Sequence, residues 1–149
     1  MRAVVQRVTA SSVTVGGDVK GSIGEGLAVL LGVESGDGEK DLEYMIDKVS
    51  GLRVFDDEDG IMNLSVLDTG GAVLSISQFT LLGDVRRGKR PSWIRAERPG
   101  TANELYRRFN DGLRAKGIHV EEGVFQADMS VAIVNDGPVT ILLDSRKLF

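Results

Sequence analysis

Three stretches of this chain carry side chains placed to do more than pack. Ser77-Gln78-Phe79-Thr80-Leu81 sets two hydroxyls and an amide directly after the apolar run from Ala72 to Ile76. Hydrogen-bonding groups at the end of a buried strand sit where a rigid element hands over to a loop, and binding and catalysis collect at such places. Asn135-Asp136-Gly137-Pro138-Val139-Thr140 lies between two further apolar runs and reads first as a hairpin turn. Its Gly-Pro bond is also a candidate for the cis form, against a general preference for trans. A cis bond would point the Gly137 and Pro138 carbonyls the same way, as a rigid pair of acceptors. The third stretch runs from Asp84 to Arg98, where Arg86, Arg87, Lys89, Arg90, Arg95 and Arg98 face only Asp84 and Glu97. Six bases against two acids make this segment +4, with Gly88, Pro91, Ser92 and Trp93 interleaved. Such a loop suits gripping phosphates and stacking on a base. Each stretch also has an ordinary reading: residues leaving a sheet, a tight turn, and a solvated loop whose arginines pair with nearby acids.

The common catalytic devices are missing. The only histidine, His119, falls in a predicted strand between Ile118 and Val120 and reads as a solvent-facing residue, so no imidazole base is offered to a hydroxyl nucleophile. There is no cysteine, hence no disulfide, thiol nucleophile or thiolate zinc site, and no metal is expected. Gly24-Glu25-Gly26 leads into a strand rather than a helix, and no phosphate loop or paired-histidine zinc motif occurs. The acidic Asp56-Asp57-Glu58-Asp59 lacks calcium-ligand spacing and reads as a hairpin tip. Asn63-Leu64-Ser65 matches a glycosylation sequon by chance.

The elements that must position these stretches follow from periodicity. Val4, Gln6 and Val8, then Val13 and Val15, alternate as strand residues, Gly16-Gly17-Asp18 supplies a turn, and Leu27 to Val33 is a continuous apolar run. Leu42, Met45, Ile46, Val49 and Leu52 recur at helical spacing, with Asp37 placed to cap the start. Val54-Phe55 and Met62 to Leu67 predict a hairpin, and Ala72 to Ile76 a buried strand. Thr101-Ala102-Asn103-Glu104 fits a capping box, with Leu105, Phe109 and Leu113 on one helical face and Gly117 as the stop. Strands at Ile118–Glu121, Ser130–Val134 and Val139–Leu143 complete a set of two helices and eight or nine strands. That mixture predicts sheets stacked with a helical layer.

The 149 residues suit one domain, 1–149, with its own core. No stretch is apolar enough for a signal peptide or a membrane span, which points to a soluble, cytoplasmic protein with no membrane partner. The net charge of −4 argues against a chain coated in nucleic acid, but with one segment at +4 the remainder carries −8. That asymmetry confines any phosphate contact to this one segment.

Taken together, Gln6-Arg7-Val8 with Ser12-Val13, Leu30-Leu31-Gly32-Val33, Leu52-Arg53-Val54-Phe55, Met62-Asn63-Leu64, Ser77-Gln78-Phe79-Thr80-Leu81, Arg90-Pro91-Ser92 and Asn135-Asp136-Gly137-Pro138-Val139-Thr140 resemble the D-aminoacyl-tRNA deacylases from end to end. The joint, ordered occurrence of the last three motifs is specific. Trp93 stands where the family often has Phe, which keeps a stacking surface.

The resemblance implies a mixed α/β, three-layer β/β/α single domain that forms a homodimer and hydrolyses the ester between a D-amino acid and the 3′ end of tRNA, without a cofactor and without a DNA partner. It implies a catalytic segment Ser77, Gln78, Phe79 and Thr80. It also implies a substrate-binding set that rejects L-amino acids: Gly137, Pro138, Asn135, Met129 and Phe125, with the Gly-Pro motif reaching across into the partner's pocket. Arg86, Arg87, Lys89, Arg90 and Trp93 are the implied tRNA contacts. Glycyl-tRNA is an expected second substrate, since glycine presents no L-side chain to exclude. Thr80 would be the obvious nucleophile but has no evident base, so assistance by the 2′-hydroxyl of the terminal adenosine is expected, with backbone amides near Phe79 and Thr80 binding the oxyanion. A tRNA-binding module without catalysis and a purely structural dimer are the competing classes.

Overall fold

The alternating N-terminus forms β1 (Arg2–Val15), the strand on which the sheet is built. A computed structural model describes residues 1–149. Gly16-Gly17 turns the chain into β2 (Asp18–Ile23), which returns along residues 11–15 of β1, and β3 (Gly26–Gly32) returns along residues 2–8. Helix α1 (Glu39–Gly51), the short pair β4 (Phe55–Asp56) and β5 (Met62–Leu64), and α2 (Val66–Thr69) precede β6 (Ala72–Ser77). Helix α3 (Pro99–Ala115) then leads to β7 (His119–Glu122), and β8 (Ser130–Asp144) closes the chain.

β6 adds parallel to β3, and β7 parallel to β6, each after a helical crossover. β8 runs antiparallel along β1 from Arg2 to Thr14, so β2 and β3 must share the opposite edge of β1. The apolar faces separate into two clusters. The larger joins Ala3, Val5, Leu27, Val29, Leu31 and Val73 of the sheet to Leu42, Met45 and Val49 of α1 and Leu105, Phe109 and Leu113 of α3. The smaller joins Val8, Val13, Ile23, Ala28, Leu74 and Ile76 on the other side, where the sheet curls until Gly21 of β2 approaches Glu121 of β7. No helix is long and apolar enough to cross a membrane.

Several expectations are corrected by local chemistry. In β1 it is Ala3 and Val5 that go under the helices, while Val4 and Gln6 are half-buried. Asp37 does not cap α1. Its carboxylate is taken by the Glu34 amide at 2.6 Å and the buried Met1 α-amino group at 2.7 Å, and Asp41 instead accepts from the Gly38 amide at 2.9 Å. Thr101 lies inside α3, because Pro99, with its fixed φ and missing N–H, suits the first helical position. Ser65 and Asp68 form a reciprocal capping box, which turns Val66–Thr69 into a helix where a strand to Leu67 was expected. The Asn135-Asp136-Gly137-Pro138 segment is no hairpin turn, since β8 continues through it as one strand of 15 residues.

Candidate active site

The polar segment after β6 is held where β6 ends. The Gln78 amide donates to the Leu31 carbonyl at 2.8 Å, extending the β3–β6 pairing by one bond, and Phe79–Leu82 then form a 3-10 turn. Gly32 permits that approach: a Cβ there would lie 2.6 Å from Leu82 Cδ2 and 2.9 Å from the Gln78 carbonyl. Buried Leu82 anchors the turn, leaving Phe79 and Thr80 exposed. The Gln78 side-chain amide donates to the Thr80 hydroxyl. Thr80 thus has an amide neighbour, not a base. The amides of Phe79 and Thr80 open the turn and have no acceptor within it.

Ser77, Gln78 and Phe79 form one wall of a cleft of about 610 Å3. Phe125 to Met129 form a second wall, and Trp93, Ala96 and Glu97 a third. Phe79 and Trp93 meet edge to face, with ring centroids 5.4 Å apart. Behind Phe125 stands Tyr106, 6.2 Å between centroids, whose hydroxyl donates to the Ser75 carbonyl at 2.8 Å; burial pushes this phenol's pKa up. One helical tyrosine thus supports both the Phe125 wall and the strand that delivers Ser77 and Gln78. Gln126 has a φ of +64° at the turn closed by the Ala127 amide on the Val124 carbonyl.

The Gly-Pro motif is not part of this lining. Where β1 and β8 pair, Gln6 faces Thr140 and Val8 faces Asn135, so the four residues Asp136–Val139 stand opposite the single residue Arg7 and bulge out of the ladder. Gly137 and Pro138 are exposed on that bulge, and their peptide bond is cis. Asn135 donates its side-chain amide to the Arg7 carbonyl at 2.9 Å and the Val139 carbonyl at 3.0 Å, while the Arg7 guanidinium reaches Asp136 at 3.1 Å and the Val54 carbonyl at 2.7 Å. Gly137 has a φ of +114°, and a Cβ on it would lie 2.7 Å from Val139 Cγ2.

The basic segment is closed at its base by paired backbone bonds between Asp84 and Ser92, each 2.9 Å, from which residues 85–91 project exposed. The ordinary reading holds for two of its arginines. Arg86 is bound by Asp84, whose carboxyl it holds far below the usual range, and Arg95 by Glu34 at 2.5 Å. Arg87, Lys89 and Arg90 make no ion pair.

A family model described as D-Tyr-tRNA(Tyr) deacylase matches residues 4–144. The chain belongs to the D-aminoacyl-tRNA deacylase family. Curated relatives named D-aminoacyl-tRNA deacylase include one from Symbiobacterium thermophilum, 61% identical over 100% of this chain and 99% of the relative, and one from Thermus aquaticus, 56% identical over 99% and 97%. A solved structure titled "c-Myc DNA Unwinding Element Binding Protein" superposes with a TM-score of 0.91 at 44% identity, over 97% of this chain and 98% of the other. A structure titled as a probable eukaryotic D-amino acid tRNA deacylase gives 0.81 at 16% identity, over 95% and 97%, and shares the fold.

In this member of the D-aminoacyl-tRNA deacylase family, Ser77, Gln78, Phe79, Trp93, Phe125 and Met129 of the one chain come together in a common cleft. Asn135, Gly137 and Pro138 stay on the β8 bulge and Arg87, Lys89 and Arg90 on the projecting loop. Glu97 and Asp128 also line the cleft of this deacylase-family chain, although neither belongs to the motifs that mark the family. Nothing in their local sequence marks them among 22 acidic residues.

Proposed function

We propose that the chain hydrolyses the ester of D-aminoacyl-tRNA, releasing a free D-amino acid and tRNA, and works in the cytoplasm as a homodimer of β/β/α subunits. Family membership supports the reaction. The observation that carries the site assignment is the separation of the two motifs: the cleft holds Ser77 to Phe79, whereas Gly137 and Pro138 stand exposed on a bulge outside it. A second copy of the chain is the simplest source of the missing acceptors, with the Gly137 and Pro138 carbonyls of one subunit receiving the substrate's α-amino group in the cleft of the other. With the amino group and ester so fixed, a D-side chain is free and an L-side chain meets backbone, which is discrimination by repulsion. Glycine escapes that test, so mischarged glycyl-tRNA is a second substrate.

The chemistry on this reading is carried largely by placement. The free amides at Phe79 and Thr80 receive the developing oxyanion, Gln78 orients the turn through Thr80, and the 2′-hydroxyl of the terminal adenosine assists the attack of water on the ester carbonyl, whose 3′-oxygen leaves with the tRNA. Arg87, Lys89 and Arg90 grip phosphates, and Trp93, already edge to face with Phe79, offers a stacking surface. Incubation with matched D- and L-aminoacyl-tRNA tests the reading. Stereoselective release of the D-amino acid is expected, whereas binding without turnover would leave only a tRNA-binding module.

A further inference from the structure

Glu34 is an acid that the cleft does not use directly. Its side chain is 4% exposed, and one oxygen, Oε1, carries its polar contacts: Arg95 Nε at 2.7 Å, Arg95 Nη2 at 2.5 Å and Arg146 Nη1 at 3.4 Å. The other oxygen is buried without a partner. Sequestering a carboxylate this way is costly, and removing it leaves Arg95 without an acid, whereas Arg146 keeps Asp37 at 3.2 Å.

The segment Arg95 belongs to explains the position. Ser35 donates its amide to the Arg95 carbonyl and Glu97 donates its amide to the Val33 carbonyl, both at 2.9 Å, so residues 95–97 are laid along the end of β3. Trp93, Ala96 and Glu97 of this segment form the third wall of the cleft, and the basic loop runs just before it. Arg95 places two nitrogens on one acceptor atom from behind that wall.

We infer that Glu34 is a positioning residue for deacylation: through Arg95 it fixes the Trp93–Glu97 wall against which the acceptor end of the tRNA is seated. Arg95 is thereby a structural cation, not a phosphate contact. The inference rests on the proposed deacylase reading for its kinetic part only, because Trp93 is the sole tryptophan and reports the wall without any substrate.

The experiment uses the full chain as wild type, Glu34→Gln, Arg95→Gln, the double variant, and Arg95→Lys as a milder change should Glu34→Gln not fold. Trp93 emission and its quenching by acrylamide are read well below each melting temperature, alongside kcat and KM for a tRNA charged with a D-amino acid. Expected are a red-shifted Trp93 emission, more efficient quenching, and a KM raised about fivefold or more with kcat within about twofold, since a wall that holds substrate and transition state alike acts on binding and not on the chemical step. The double variant matches the worse single one, because both act through one contact. A lowered melting temperature with unchanged Trp93 signal and unchanged KM would overturn the inference, as would additive effects in the double variant. A wild type that fails to hydrolyse the substrate instead overturns the deacylase reading, while the Trp93 comparison still decides the role of Glu34.

Discussion

The side-chain amide of Asn135 donates to the carbonyl of Arg7 across the β1–β8 ladder at 2.9 Å and, with its second proton, to Val139 at 3.0 Å. The two bonds close the bulge that carries Gly137 and Pro138. Asn135→Ala strips both carbonyls of a donor, for an expected loss of about 1–3 kcal/mol in urea denaturation. Asn135→Asp is expected to be worse near neutral pH, because an ionised carboxylate would face two carbonyl oxygens.

Gly137→Ala tests the same bulge from its backbone. With a φ of +114° and Val139 Cγ2 at 2.7 Å from the added Cβ, an alanine is both strained and crowded. A destabilisation on the order of 1–3 kcal/mol is expected, with a larger proportional loss of deacylation than Asn135→Ala causes. Equal stability and full activity would show that this conformation is unimportant.

Thr80→Ala separates two mechanisms. Thr80 contacts the Gln78 amide and no base, so the variant should retain turnover within about tenfold, as loss of one orienting hydrogen bond implies. Abolished turnover with intact binding would make Thr80 the nucleophile. In the complementary measurement, a substrate ending in 2′-deoxyadenosine should be hydrolysed far more slowly.

The projecting loop is addressed through salt. Replacing Arg87, Lys89 and Arg90 with Ala should raise KM and flatten the dependence of log affinity on log salt by about 0.7 for each phosphate no longer neutralised. Arg86→Ala should do less, because that side chain is committed to Asp84.

Acid stability follows from the cluster at the N-terminus. Burial pushes the Asp41 carboxyl up, but the Ser145 hydroxyl, the Gly38 amide and the Met1 amine together hold its pKa below the usual value of 3.8. A depressed native pKa stabilises the fold above the unfolded-state pKa, and that contribution is lost as the pH falls through the native one. Thermal melting from pH 6 down to pH 2 should therefore show a steeper loss for wild type than for Ser145→Ala, most visibly below about pH 4.

Much of this is legible in the chain itself. The helical face of Leu42, Met45 and Val49, the buried run Leu27 to Val33 and the solvent-facing His119 stand as their periodicity predicts. What is not legible depends on partners distant in sequence. Asp37 has the look of a cap, yet Met1 claims it, and Asn135-Asp136-Gly137-Pro138 resembles a turn because the 128-residue separation between Arg7 and Asn135 is invisible locally. Cleft residues such as Ser77 are marked by their motif, whereas Glu97 and Asp128 reach the same cleft with no local signature. Glu34 escapes for the same reason, since only pairing across 61 positions with Arg95 gives it a meaning.

The pairing of β1 with β8 also sets an order of events during synthesis. β1 emerges from the ribosome first, and β2 and β3 follow at once to occupy one of its edges. The opposite edge stays open until residues 130–144 have been made, leaving a 14-residue strand half-matched while all the intervening elements are synthesised. Such late, long-range closure folds slowly, and an unmatched strand edge invites pairing with the wrong neighbour. Nascent copies of this chain on one message are therefore the setting in which misassembly is most to be expected.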